Sequence, residues 1–290
     1  VIELRQGRLT ARISPHGAEL QSLRRGDEEL LWQPQDGVWH QTAPWLFPFV
    51  GRLRGGGYRH RGRWFEMPLH GFAAHCDFGL ASQCPDAAEL RLRDSEATRA
   101  RYPFRFELRI AYRLQAQGLD IELAVHNCDD ETLAFGLGGH PGFALTGDLR
   151  DWQLRFERPE ADTVWRLQPD PPPWGLRATV PEALPWPAPG RLQLHPALFA
   201  RDALILDPLR SDWVALQHLE RGELKEHLRV QLGGAPQLGL WARPGAAYVC
   251  IEPWWGRDDA ADAPEELLDK PQLQRLPAGA VFRRTLSLRC

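Results

Sequence analysis

The run Phe104-Arg105-Phe106-Glu107-Leu108-Arg109-Ile110-Ala111-Tyr112-Arg113-Leu114 decides the fold class. Phe104, Phe106, Leu108, Ile110, Tyr112 and Leu114 fall on alternate positions, and the arginines and Glu107 stand between them. Successive side chains on a strand point to opposite faces, so this spacing gives one apolar and one charged face. Gln117-Gly118 turns the chain into a second alternating run, Leu119-Asp120-Ile121-Glu122-Leu123-Ala124-Val125. Two such runs around a turn read as antiparallel strands with one wet face.

The same rhythm continues to both ends of the chain. Ile2 to Ile13 reads as two short strands around Gln6-Gly7, and Leu90-Arg91-Leu92 as another. Further runs lie at Trp152 to Phe156, Thr163 to Leu167, Asp202 to Asp207, Trp213 to Leu216, Leu228 to Leu232, Leu238 to Trp241, Tyr248 to Gly256 and Val281 to Leu288. No long amphipathic helical pattern interrupts them. An all-β fold is expected, a large antiparallel β-sandwich with residues 1–290 in a single domain. Pro169 to Pro189, with Pro171-Pro172-Pro173 inside it, reads as a surface excursion because strands resume on both sides. Gly55-Gly56-Gly57 is expected to fold Arg52-Leu53-Arg54 back on Tyr58-Arg59-His60-Arg61 as a hairpin. The acidic stretch Asp258 to Glu266 has room for one helical turn.

Composition narrows the partners. The 290 residues carry a formal charge of -3 and are 43% hydrophobic and 25% charged. Such a balance offers no basic field for nucleic acid or an anionic membrane. No stretch approaches the roughly 20 apolar residues of a membrane helix. The opening Val1-Ile2-Glu3-Leu4-Arg5 lacks the basic-then-apolar form of a secretion signal. Five cysteines, Cys76, Cys84, Cys128, Cys250 and Cys290, show no Cys-x-x-Cys spacing, so a reduced cytoplasmic protein with buried thiols is expected. His75-Cys76 with Cys84 is the best metal-ligand cluster, and its spacing fits no common zinc pattern. Neither metal nor cofactor is expected.

Four short motifs carry the chemistry. They are Phe-Pro-Phe-Val-Gly-Arg at 47–52, His-Gly-Phe-Ala at 70–73, Gly-Gly-His-Pro-Gly-Phe at 138–143 and Ile-Glu-Pro-Trp at 251–254. Glycines beside His70 and His140 permit close approaches that a Cβ would forbid. Pro141 biases His140 toward an extended conformation at a strand end. Histidine gives and regains a proton near neutrality, and a carboxylate ending an apolar strand gains basicity as it loses water. An acid and a base of this kind suit proton transfer between weakly acidic oxygens.

In order and wording, these motifs resemble the aldose 1-epimerase (galactose mutarotase) family. The resemblance is closest to its LacX-like and hexose-6-phosphate mutarotase-like branch and spans nearly the whole chain. It implies the galactose mutarotase-like supersandwich and interconversion of α and β anomers of an aldose through the open chain. Carried over by motif, Glu252 resembles the base and His140 the acid. His70 and Arg52 resemble residues that bind and polarise sugar oxygens. Asp202 resembles the aspartate that anchors sugar hydroxyls, with Asp207 as its rival. Trp254 lies within a motif, where an indole can meet the apolar face of a sugar.

One position departs from the branch. Ala74 follows His-Gly-Phe-Ala where relatives commonly carry an arginine, an expected contact for a hexose 6-phosphate. The balance leans toward an unphosphorylated aldose such as glucose or galactose, with Arg54, Arg59 and Arg61 as compensating phosphate contacts in the opposite event. A non-catalytic sugar-binding or regulatory protein on the same fold is the alternative, although it has no need of an acid–base pair. A hydrolase is a third reading, but the usual arrangement asks for two carboxyl acids.

Overall fold

The computed structural model describes residues 1–168, 175–184, 186 and 188–290. Two large antiparallel sheets build it. The nine-stranded sheet runs Arg191–Gln193, Trp152–Phe156, Trp213–Glu220, Glu223–Gln231, Val281–Arg289, Gly118–Asn127, Phe106–Gln115, Ala87–Arg93, Gly79–Cys84. The eight-stranded sheet runs Glu182–Ala183, Thr163–Arg166, Leu204–Leu206, Gln237–Trp241, Tyr248–Trp255, Leu137–Gly139, Trp45–Leu46, with Gly142–Ala144 also paired to Tyr248–Trp255. A smaller sheet holds the first four strands, from Ile2 to Glu29.

The alternation at 104–125 becomes an antiparallel pair in register from Phe106 opposite Asn127 to Gln115 opposite Gly118. Phe106, Leu108, Ile110, Tyr112 and Leu114 are all buried on the inner face. On the outer face Glu107 takes hydrogen bonds from Arg93 (2.6 Å) and from Arg109. The inner faces of the two large sheets meet through aromatic contacts. Phe47 packs on Phe106 at 5.1 Å between ring centroids, and Trp255 on Phe282 at 6.0 Å. The Trp45 indole N–H donates to the Tyr112 hydroxyl across the layers (2.7 Å). This is a β-sandwich, held by the interdigitated apolar faces of its sheets.

Several local expectations change. The hairpin is Gly57–His60 paired with Arg63–Glu66, turning at Arg61-Gly62, both with positive φ. The three glycines instead enter a short 3-10 turn, Arg54–Gly56, before it. The arginines there are engaged with other partners: Arg59 with Glu265, Arg61 with Glu131, and Arg54 with the Ala263 carbonyl. The helical turn expected in the acidic stretch forms just after it, at Leu267–Asp269. Pro171-Pro172-Pro173 lie outside the described residues. The described flanks of that excursion pack inward, with Leu176 and Leu184 buried and Glu182–Ala183 joining the sheet. Of the thiols Cys250 is buried, while Cys84 and Cys128 are exposed. Among the described residues no helix is long and apolar enough to cross a membrane.

Candidate active site

Tyr248–Trp255 is buried along its whole length. It pairs with Gln237–Trp241 on one side without a break. On the other side Leu137–Gly139 and Gly142–Ala144 cover its two ends and leave His140-Pro141 between them. Neither Pro141 nor Pro253 has an N–H to give, so the ladder loosens where they fall, with the Ile251 N–H donating to the Pro141 carbonyl (3.3 Å). There His140 places Nε2 within 3.2 Å of Glu252 Oε2. Its backbone N–H donates to the Pro44 carbonyl (3.1 Å), which fixes the chain at that point.

His70 arrives from a different loop. Its φ is +63°, a left-handed conformation that costs a non-glycine residue about 1–3 kcal/mol. A reciprocal clamp holds it there. The His70 N–H donates to the Gly51 carbonyl (3.0 Å), and the Gly51 N–H donates to His70 Nδ1 (3.0 Å). Because Nδ1 accepts, the neutral ring carries its proton on Nε2. Gly71 follows at φ +76°, where a Cβ would stand 2.3 Å from the Phe47 carbonyl oxygen. The two imidazoles meet edge to face, 5.7 Å between centroids.

These side chains line a cleft of about 620 Å³ with Arg52, Asp202, Trp254 and Asp258. Arg52 has no ion-pair partner among the described residues. Asp202, at φ +67°, is exposed in the cleft and accepts the Ala203 N–H (2.9 Å). Asp207 is outside the lining and is paired with Arg257 and Gln237. Of the rival aspartates, the cleft contains Asp202. Trp254 is only 3% exposed. Its ring lies where Cβ atoms on Gly138 and Gly239 would intrude, at 2.7 and 2.3 Å. It forms a fixed wall, and the open ring face that stacking needs is not on offer.

Burial sets the proton affinities. Desolvation pulls His140 down to about 4. Desolvation, with help from the His140 and Arg52 charges, takes His70 down to about 3. Glu252 moves the opposite way, well above the ordinary carboxylate range, through desolvation first and then the Asp202 and Asp258 charges. The Trp254 indole N–H beside it opposes this without forming an aligned hydrogen bond. Glu252 Oε2 and His140 Nδ1 are likewise buried without a hydrogen-bond partner among the described residues. His140 and Glu252 are thus two buried groups, 3.2 Å apart, whose proton affinities burial pushes in opposite directions.

Some of the lining could not be read from motifs. Trp39 and Trp241 flank the His140 ring at 5.1 and 5.7 Å between centroids. Arg201 lies at the rim, paired with Glu182. Asp258 belongs to the acidic run expected to hold a helical turn, and it is only 4% exposed. The available signal was Gly51, whose Cβ would overlap the Asp258 carboxylate, but only the fold reveals that contact. Among the described residues the donor cluster with metal-ligand spacing is His140, Cys250 and Glu252, within 4.8 Å of one another, and His75, Cys76 and Cys84 form none.

Comparison with known proteins gives the family. The model of the aldose 1-epimerase family matches residues 1–183. The chromosomal protein LacX of Lactococcus lactis subsp. lactis is 30% identical over 95% of this chain and 94% of its own. A galactose mutarotase related enzyme from Lactobacillus acidophilus superposes with a TM-score of 0.89 at 34% identity, covering 99% of this chain and 96% of that one. A galactose mutarotase-like protein from Lactobacillus casei gives 0.90 at 27% identity, with 99% of each chain covered. The chain belongs to the aldose 1-epimerase family of sugar isomerases.

Proposed function

We propose that the protein interconverts the α and β anomers of an aldose by acid–base opening of the sugar ring. The observation that carries this reading is the His140–Glu252 contact at 3.2 Å, exposed on one side to a cleft lined by Arg52, His70 and Asp202. The reactive form of the one-proton pair has Glu252 ionised and His140 protonated, and transfer across that short gap reaches it from the resting form. Glu252 takes the proton of the anomeric hydroxyl as C1=O forms. The C1–O5 bond breaks, and the ring oxygen receives the His140 proton. Rotation about C1–C2 presents the other carbonyl face, and closure runs the same transfers backward. Two groups that exchange roles end each turnover in their starting state, so the cycle balances.

The other residues hold the sugar. His70 offers Nε2–H to an oxygen, Arg52 supplies positive charge where the carbonyl oxygen gains negative charge, and Asp202 accepts from ring hydroxyls. Ala74 lines the cleft where relatives carry arginine, and Arg54, Arg59 and Arg61 are outside the lining. That arrangement supports an unphosphorylated aldose as substrate. NMR exchange spectroscopy or polarimetry on a panel of aldoses and aldose phosphates tests the proposal. Anomer exchange well above the buffer rate for at least one aldose is expected, and buffer rates across the panel would refute it.

A further inference from the structure

Asp258 is a buried carboxyl in the cleft that the proton transfers above do not use. Its Oδ1 accepts the Arg52 backbone N–H at 2.7 Å, and no ion-pair partner reaches it among the described residues. Its neighbour Asp259 is built differently. The Asp259 carboxylate takes Lys270 Nζ (2.5 Å), Gln272 Nε2 (2.6 Å) and the Arg54 N–H (2.9 Å), and its own N–H donates to the Arg52 carbonyl (2.9 Å). Asp259 thus ties down the 52–54 segment through the Arg54 N–H and the Arg52 carbonyl. A second buried acid, left without a cation, is expensive as mere structure. Groups retained at such a cost inside a cleft mark functional positions.

The chain of contacts from Asp258 leads to the reacting groups. It grips Arg52, whose guanidinium enters the cleft, and Gly51 lies so close that a Cβ there would overlap the carboxylate. Gly51 in turn holds both the backbone and the ring of His70. The charges facing Asp258 are Glu252, Asp202, Asp259, the Arg52 segment and Arg177. We propose that Asp258 is a positioning residue for the reaction: it fixes the Gly51-Arg52 turn that aims His70 and Arg52, and its charge helps hold the shared proton on the His140–Glu252 pair. Desolvation raises its own proton affinity to about 7, so above neutrality it is ionised and pushes that of Glu252 upward.

This inference rests on the mutarotase reading, and two variants test it separately. Asp258→Asn keeps an acceptor for the Arg52 N–H and removes the charge. KM should stay within about threefold, while the basic limb of the kcat/KM profile moves to lower pH, because Glu252 loses a repelling neighbour. Asp258→Ala removes the acceptor as well, and a displaced His70 and Arg52 should lower kcat/KM by about 10²-fold. The ¹⁵N spectrum of His70 should show one tautomer, protonated on Nε2, in the wild type and the Asn variant, and lose that pattern in the Ala variant. An unmoved basic limb in Asp258→Asn overturns the role of the charge, and an unchanged His70 spectrum in a folded Asp258→Ala overturns the positioning. If Asp258→Ala does not fold, the pH limb of Asp258→Asn decides the matter alone. Should the wild type exchange no anomers, the mutarotase reading fails, and the His70 spectra still decide whether Asp258 positions that ring.

Discussion

Glu107 and Glu252 lie on interior strands of the two large sheets, 5% and 1% exposed, and they hold their protons in opposite ways. At Glu107 desolvation pushes proton affinity up, but hydrogen bonds from Arg93 and Arg109 outweigh it, and the carboxyl ends below its usual range. Among the described residues Glu252 has only His140 within ion-pairing distance, and desolvation with the Asp202 and Asp258 charges sends it up. Burial alone therefore does not make a base in this protein. What separates the cleft from the sheet's outer face is that arginines answer one carboxylate and are withheld from the other. The withheld cation leaves Glu252 with a raised proton affinity beside His140.

The most severe way to break this comparison is to neutralise each glutamate. Glu252→Gln, and equally His140→Asn, should reduce anomer exchange by roughly 10²–10⁴-fold, the span attributed to one general acid or base. Binding should survive better than turnover, since both replacements keep the shape of the side chain. Glu107→Gln should leave turnover near the wild-type rate and lower stability by about 1 kcal/mol, because the exposed Arg93 limits what that pair contributes. Denaturant titration alongside NMR exchange measures both. Near-normal exchange in Glu252→Gln would erase the distinction between the two residues.

The contrast was only half legible in the sequence. The period-two runs at 104–125 revealed the sheet because each side chain's face is a local property. Gly-Gly-His-Pro-Gly-Phe and Ile-Glu-Pro-Trp marked a histidine at a strand end and a carboxylate ending an apolar strand, and the register of Gly138 opposite Trp254 and Gly142 opposite Cys250 sets those two stretches side by side. The rest depended on contacts distant along the chain. Asp258 was not singled out because nothing beside it in the chain tells that Gly51 lies against it. Trp254 looked available for stacking because Gly138 and Gly239, which clear room for its ring, come from two other strands. The hairpin was misplaced at Gly55-Gly56-Gly57, since Arg61 at φ +53° takes a turn position that a glycine would be expected to occupy.

A pH profile sharpens the comparison. In the proposed mechanism the active pair holds one proton, so activity should fall on both sides of a window. On the acid side a second proton adds as pH drops through the His140 value of about 4. On the alkaline side the last proton leaves as pH passes the raised value of Glu252. Burial widens this window by pushing the two groups apart, whereas an arginine beside Glu252 would narrow it from above. A kcat/KM profile that is already falling steeply with rising pH at 5 would show that Glu252 behaves like Glu107 and that the pair does not share a proton.

The smallest effect concerns phosphate, where the same question of which arginines are free decides the outcome. Arg54, Arg59 and Arg61 are occupied outside the cleft, and Ala74 contributes no charge. Arg52 is held beside His70 at the reacting end, and Arg201, half exposed and paired with Glu182, is the other arginine in the lining. An exposed contact to Arg201 is worth about 0–1 kcal/mol, or at most about fivefold in efficiency. Glucose and glucose 6-phosphate should therefore give kcat/KM values within about fivefold of each other, with little response to salt, since screening has only a weak contact to remove. Arg61→Gln should leave that ratio unchanged. A preference of about tenfold for the phosphate needs ~1.4 kcal/mol, more than Arg201 supplies in this exposed setting. If that preference appeared and shrank as salt rose, the unphosphorylated assignment would be wrong. Loss of the preference in Arg201→Gln would then identify the rim arginine as its source, and persistence would point to Arg52.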